Sequence, residues 1–171
     1  MIRASASTVI ARSPEEVYGF IADLPNNYRR WSPEVRQLQL YTSGPVRVGT
    51  MGRQVRVDQG RRTESTFRVN ALEPGRRVAL KGTSNPFRLA YQLTPVEGGT
   101  RLSFEFELSR LELYMRPFEK LIRRTVQEGS ERTVRNIKGL VEGRGQSVAE
   151  GTDSGGPAAG LPREGRDHGT P

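Results

Sequence analysis

The chain lacks cysteine, holds a single histidine, and has no apolar run approaching the ~20 residues of a membrane span. Without cysteine there are no disulfides, no thiolate metal ligands and no thiolate nucleophile. His168 falls within the last four positions, which argues against a histidine-based triad or a histidine-ligated zinc site, so neither metal nor cofactor is expected. Lysine is scarce too: Lys81, Lys120 and Lys138 are the only three among 27 basic residues, leaving 24 arginines and a formal charge of +8. Such a balance suits an acidic partner such as nucleic acid, anionic lipid or an anionic ligand, and equally suits an arginine-rich soluble surface. The N-terminus has no hydrophobic signal region, so a cytoplasmic protein is expected.

What the chain does have is one long amphipathic stretch from about Leu113 to Val141. Met115, Phe118, Leu121, Ile122, Val126, Val134, Ile137, Leu140 and Val141 recur at steps of three and four. Glu112, Glu119, Glu128 and Glu131 each precede an arginine by four, the favourable order for helix ion pairs. Pro117 is tolerated only in a first turn, so the regular helix is expected to begin near Tyr114 to Pro117, with Phe118, Ile122, Val126 and Ile137 on its buried face.

The partner for that face comes earlier. Ile2 to Arg12 reads as a strand and stops at Ser13-Pro14-Glu15-Glu16, a capping box opening a short helix with Val17, Phe20, Ile21 and Leu24 on its apolar side. Pro25 ends it, and a second helical turn carrying Trp31 leads to Pro33. From Glu34 to Arg110 come six β-type runs, near Val35–Tyr41, Thr50–Val57, Thr63–Leu72, Arg77–Thr83, Phe87–Thr94 and Arg101–Leu108, divided by Gly, Pro and Asn turns. Short connectors predict an antiparallel meander, and seven strands with a long helix predict an α+β domain over residues 1–142. Residues 143–171, rich in Gly, Ser, Pro and Asp, read as a disordered tail.

Four motifs in this order resemble the START-like (SRPBCC) superfamily of polyketide cyclase/dehydrase-type proteins: Ser13-Pro14-Glu15-Glu16-Val17-Tyr18, Asp23 followed by Trp31, Glu73-Pro74-Gly75-Arg76-Arg77-Val78, and Gly98-Gly99-Thr100-Arg101-Leu102. The resemblance implies a helix-grip fold, a seven-stranded antiparallel sheet wrapped around a C-terminal helix, with two short helices after the first strand. It also implies a cavity between sheet and helix for a hydrophobic or aromatic small molecule. The motifs specify turns and packing rather than chemistry.

Strand parity supplies candidates for the cavity wall. Met51, Val55 and Val57 share a face with Arg53, so an inward Arg53 would meet a ligand oxygen, or else snorkel to the rim. Ser65 shares parity with Phe67, and Tyr91 with Leu89 and Leu93, so each is a ligand contact or a satisfied core residue. Trp31 and Phe118 complete the ligand-binding candidates, while Glu64, Glu105 and Glu107 fall on the wet face. The reading that follows is a binder or carrier of a hydrophobic small molecule, with a polyketide cyclase or aromatase as the alternative. Nucleic-acid or ribosome association is disfavoured, because the arginines are interleaved with glutamates and no aromatic-basic platform is present.

Overall fold

A computed structural model describes residues 1–149, with side chains through residue 143. Its elements are β1 (Ile2–Ile10), α1 (Pro14–Ala22), α2 (Leu24–Trp31), β2 (Val35–Leu40), β3 (Met51–Asp58), β4 (Arg61–Glu73), β5 (Arg77–Gly82), β6 (Phe87–Val96), β7 (Gly99–Leu108), a 3-10 turn (Leu113–Phe118) and α3 (Glu119–Ala149). The strands form one antiparallel sheet in the order β1-β7-β6-β5-β4-β3-β2. This is the helix-grip arrangement. Of the tail expected from residue 143, residues 143–149 instead continue α3, and the remainder lies outside the described residues.

Local chemistry sets the turns. Ser13 Oγ accepts from the Glu16 amide at 3.2 Å and the Glu16 carboxylate accepts from the Ser13 amide at 3.2 Å, so the capping box starts α1 as its sequence predicts. At the β6–β7 hairpin Gly99 has φ +154°, and a Cβ there would lie 2.0 Å from the Ile10 carbonyl oxygen. Only glycine passes.

Register defines the two faces of the sheet. Ala4, Phe106, Leu89 and Leu80 form one inward row across β1, β7, β6 and β5, and Ala6, Phe104, Tyr91 and Val78 form the next. Onto these pack Val17, Phe20 and Ile21 of α1, Leu24, Tyr28 and Trp31 of α2, and Val134, Ile137 and Val141 of α3. Full burial of a Leu or Ile such as Leu102 or Ile137 contributes roughly 1.5–3 kcal/mol.

Helix α3 lies along the edge strand β1 and hydrogen-bonds two of its free carbonyls and the backbone at either end. Arg123 donates to the Met1 carbonyl at 3.0 Å, Gln127 to Ser5 at 2.9 Å and Lys138 to Val9 at 2.6 Å, while Glu142 accepts from the Ala11 amide at 3.0 Å. A sheet edge that would otherwise template another chain is thereby covered. The Ala11 amide and then Lys138 hold the Glu142 carboxyl below its usual range.

Two expectations for this helix are corrected. Phe118 is 59% exposed, and the buried face begins at Ser130. Towards its N-terminus the helix runs out from the core, so Ile122 and Val126 are only half-buried and Phe118 is left outside. Of the predicted ion pairs, Glu119–Arg123 forms at 2.6 Å, whereas Arg132 reaches across to Glu34 instead of Glu128.

These burials set a prediction. Ile137→Ala should lower unfolding free energy by about 2–5 kcal/mol, and Phe118→Ala by under about 0.5 kcal/mol, in chemical denaturation. A larger loss at Phe118 than at Ile137 would reverse the assignment of the helix faces.

Candidate functional site

The inward face of β3 is the polar one. Gly52 pairs with Phe67, Gln54 with Ser65 and Arg56 with Thr63, and a Cβ on Gly52 would meet the Phe67 ring at 2.7 Å, so these residues point into the fold. Arg53 therefore points outward, correcting the parity reading. It forms a bidentate pair with Glu64: its Nη2 donates to Oε2 at 2.7 Å and its Nε donates to Oε1. The pair is exposed, its partner's hydrogen bond holds the Glu64 carboxyl below its ordinary value, and Arg53 is anchored away from the interior. Val55 misled the parity argument because it is buried on the outer side, where its cross-strand neighbours are Gln37 and Glu64.

Three of the five sequence candidates do face the interior. Trp31 Nε1 donates to the Tyr91 hydroxyl at 3.2 Å, and the two rings meet edge-on with centroids 5.9 Å apart. Phe20 and Tyr28 flank the indole at 5.5 and 5.3 Å, and Phe104 lies 5.0 Å from Tyr91. Ser65 Oγ accepts from Gln54 Nε2 at 3.1 Å, and Gln54 Oε1 is buried with no donor among the described residues.

Arg56 is the residue that sequence reasoning missed. Its side chain is 30% exposed and its Nε donates to Asp58 Oδ2 at 3.4 Å. Burial opposes its charge, but the Tyr28 phenol, Asp58 and Glu34 outweigh that and favour the charged form. Burial raises the Tyr28 phenol above its ordinary value, against the pull of the Arg56 charge. Burial also raises Tyr91 well above its ordinary value, with Tyr28 adding to the shift and the Trp31 hydrogen bond and Arg56 opposing it. The set is one lasting cation and two neutral phenols, all suited to grip an oxygen and none to remove a proton. No sequence signal could have found Arg56, because the pairing of Gly52 with Phe67 that puts Gln54 and Arg56 on the core side is a matter of register.

An open groove of about 770 Å³ lies elsewhere, where the charged residues Arg3, Lys81, Arg88 and Glu107 border Leu80, Leu89 and Phe106 of the inward row. Among the described residues there is no cluster of three metal-ligating side chains, and no helix is long and apolar enough to cross a membrane.

An antiparallel sheet gripping a C-terminal helix, with a polar cluster inside an aromatic core, defines a helix-grip protein of the SRPBCC type. The chain belongs to the polyketide cyclase/dehydrase and lipid transport family, whose profile matches residues 1–142. The family supports a ligand-binding or cyclase role and hydrophobic small-molecule binding. No curated protein matches the chain by sequence. Among solved structures it is similar to TTHA0849 from Thermus thermophilus, with TM-score 0.69 and 19% identity over 83% of this chain and 98% of that one. It is similar to the KanY protein (ms6282), with TM-score 0.69 and 17% identity over 82% and 97%. It also resembles the di-domain ARO/CYC StfQ from the steffimycin biosynthetic pathway, with TM-score 0.69 and 14% identity, covering 85% of this chain and 52% of that one. At these identities the likeness is one of fold.

The Tyr91 geometry predicts an alkaline stability effect. A folded-state value raised above the ordinary 10.0 means that the folded protein keeps a proton which the unfolded chain releases. This contribution is complete below the unfolded value and is lost as pH rises through the folded one. Tyr91→Phe, which leaves the Trp31 N–H without its acceptor, should cost about 1–3 kcal/mol at neutral pH and flatten the loss of stability above pH about 10. Parallel alkaline limbs in the two proteins would mean that Tyr91 ionises freely when folded.

Proposed function

We propose that this protein binds an apolar or aromatic small molecule bearing an acidic or strongly polarised oxygen, held between the sheet and the helices with Arg56, Tyr28 and Tyr91 at its polar end. The observation that carries this reading is geometric: the Tyr28 and Tyr91 rings meet Trp31 edge-on at 5.3 and 5.9 Å, and the Arg56 guanidinium stands beside Tyr28, on a face that continues through Phe67 and Leu80. Placed polar groups within aromatic walls are the usual makeup of a small-molecule site. Ser65 and Gln54, one step further along the same face, offer further hydrogen bonds, and the unsatisfied Gln54 Oε1 accepts from a ligand hydroxyl or amide.

Carriage or sensing is preferred to cyclisation. The same donors would polarise a carbonyl, but ring closure by enolisation also needs a base. The phenols stay protonated, and the nearby carboxylates Asp58 and Glu34 are paired with Arg56 and Arg132.

Trp31, the only tryptophan, makes its own emission the readout. Titration with 2-naphthoic acid and with its neutral methyl ester should perturb that emission for both. Arg56→Leu should weaken the acid about 10- to 100-fold, the scale of a charged hydrogen bond, and spare the ester, while Arg53→Leu changes neither. Equal effects of Arg56→Leu on acid and ester would remove Arg56 from the site, and failure of both probes to bind would overturn the reading.

A further inference from the structure

The first turns of α3 and the 3-10 turn before it carry a second apolar face, pointing to solvent. Tyr114, Pro117, Phe118 and Leu121 follow one another at short steps, and Tyr114, Phe118 and Leu121 are 64%, 59% and 62% exposed. Leu113, beside them, is 78% exposed. The core-facing side of the same segment is served by Met115, Ile122 and Val126, which are half-buried, so the outer stripe is surplus to packing. Large exposed aromatics and leucines gathered in one place mark an interaction surface rather than scattered surface apolars.

The surroundings of this stripe decide its occupant. Between positions 110 and 124 stand five cations, Arg110, Arg116, Lys120, Arg123 and Arg124, against two carboxylates, Glu112 and Glu119. Arg123 is paired with Glu119 and Arg124 with Glu128, whereas Arg116 and Lys120, four residues apart on the flank of the stripe, form no salt bridge among the described residues. A second copy of the chain would bring cations of the same sign together around the contact. An anionic lipid surface supplies what both features lack: headgroup charge for Arg116 and Lys120, and acyl-chain boundary for Phe118 and Leu121. A helix with an aromatic and leucine face flanked by lysine and arginine is the pattern of a segment lying in the membrane interface.

We infer that the stripe Tyr114, Phe118 and Leu121 with its Arg116–Lys120 flank is a docking surface for anionic membranes, on which the protein sits peripherally. It lies outside the Trp31–Tyr91 cluster, so it stands or falls separately from the ligand reading.

The test is co-sedimentation of the full chain, without added ligand, with phosphatidylcholine vesicles and with vesicles in which about one third of the lipid is phosphatidylglycerol. Binding to the anionic vesicles should exceed that to neutral ones by at least about tenfold and weaken as salt rises. The double variant Phe118→Ser/Leu121→Ser should lose about tenfold or more on anionic vesicles while still binding 2-naphthoic acid. Arg116→Glu/Lys120→Glu should lose the preference for anionic lipid with the apolar stripe intact. Absence of wild-type binding to anionic vesicles overturns the proposal. So does a vesicle-free dimer in sedimentation analysis that Phe118→Ser/Leu121→Ser dissolves, which would assign the stripe to a second copy.

Discussion

Trp31 ties three parts of the fold together at once. Its indole N–H reaches Tyr91 on β6, its backbone carbonyl accepts from Asn136 Nδ2 on α3 at 3.0 Å, and the Phe20 ring of α1 leans on its face. The helix that presents it is only eight residues long and contains Pro25, Asn26 and Asn27, so its own propensity cannot hold it. Asn27 compensates by donating to the Phe20 carbonyl at 3.0 Å, which fixes α2 against α1. With Trp31 seated, the sheet, both short helices and the long one share a single reference point, and the aromatic wall of the proposed site is the same object.

The polar side of the interior runs against what stability alone would select. Apolar residues at 54 and 56 would avoid both a buried unpaired carbonyl, which costs about 1–3 kcal/mol, and a half-buried guanidinium. Phe67, Leu80, Leu89 and Leu102 show that the same face accepts apolar side chains elsewhere. A local departure from good packing chemistry, confined to one end of an apolar face, is what the proposed binding of a ligand oxygen would use.

Turns and strands were legible in the sequence because their signals are local. The capping box, the Gly98-Gly99 turn and the alternation of Leu102, Phe104, Phe106 and Leu108 each depend on a few neighbouring residues, and the structure has them where they were expected. Facing was harder. Along β3 the valines suggested one inward side and the structure uses the other, because burial there is decided by which strands flank β3 rather than by its own composition. Phe118 failed for a related reason: periodicity counts apolar residues but does not say where the sheet stops, and α3 leaves the core before reaching it. Tyr91 and Ser65 faced inward as expected because each lies among strand residues whose parity agrees, whereas Trp31, on α2, is buried by Phe20, Tyr28 and Tyr91.

The attachment of α3 to β1 explains how its two ends can serve different purposes. Over the first turns the helix is held by long polar side chains, Arg123 and Gln127, reaching to edge carbonyls, and no large apolar residue there is fully buried. Further on, Val134, Ile137 and Val141 insert into the core. Hydrogen bonds to an otherwise unpaired edge position a helix with net worth of about 1 kcal/mol each, enough to fix its direction while leaving its outer surface unconstrained. Folding therefore makes no demand on Tyr114, Phe118 or Leu121. Their apolar character, on a surface where solvent favours polar residues, is what the proposed membrane docking uses.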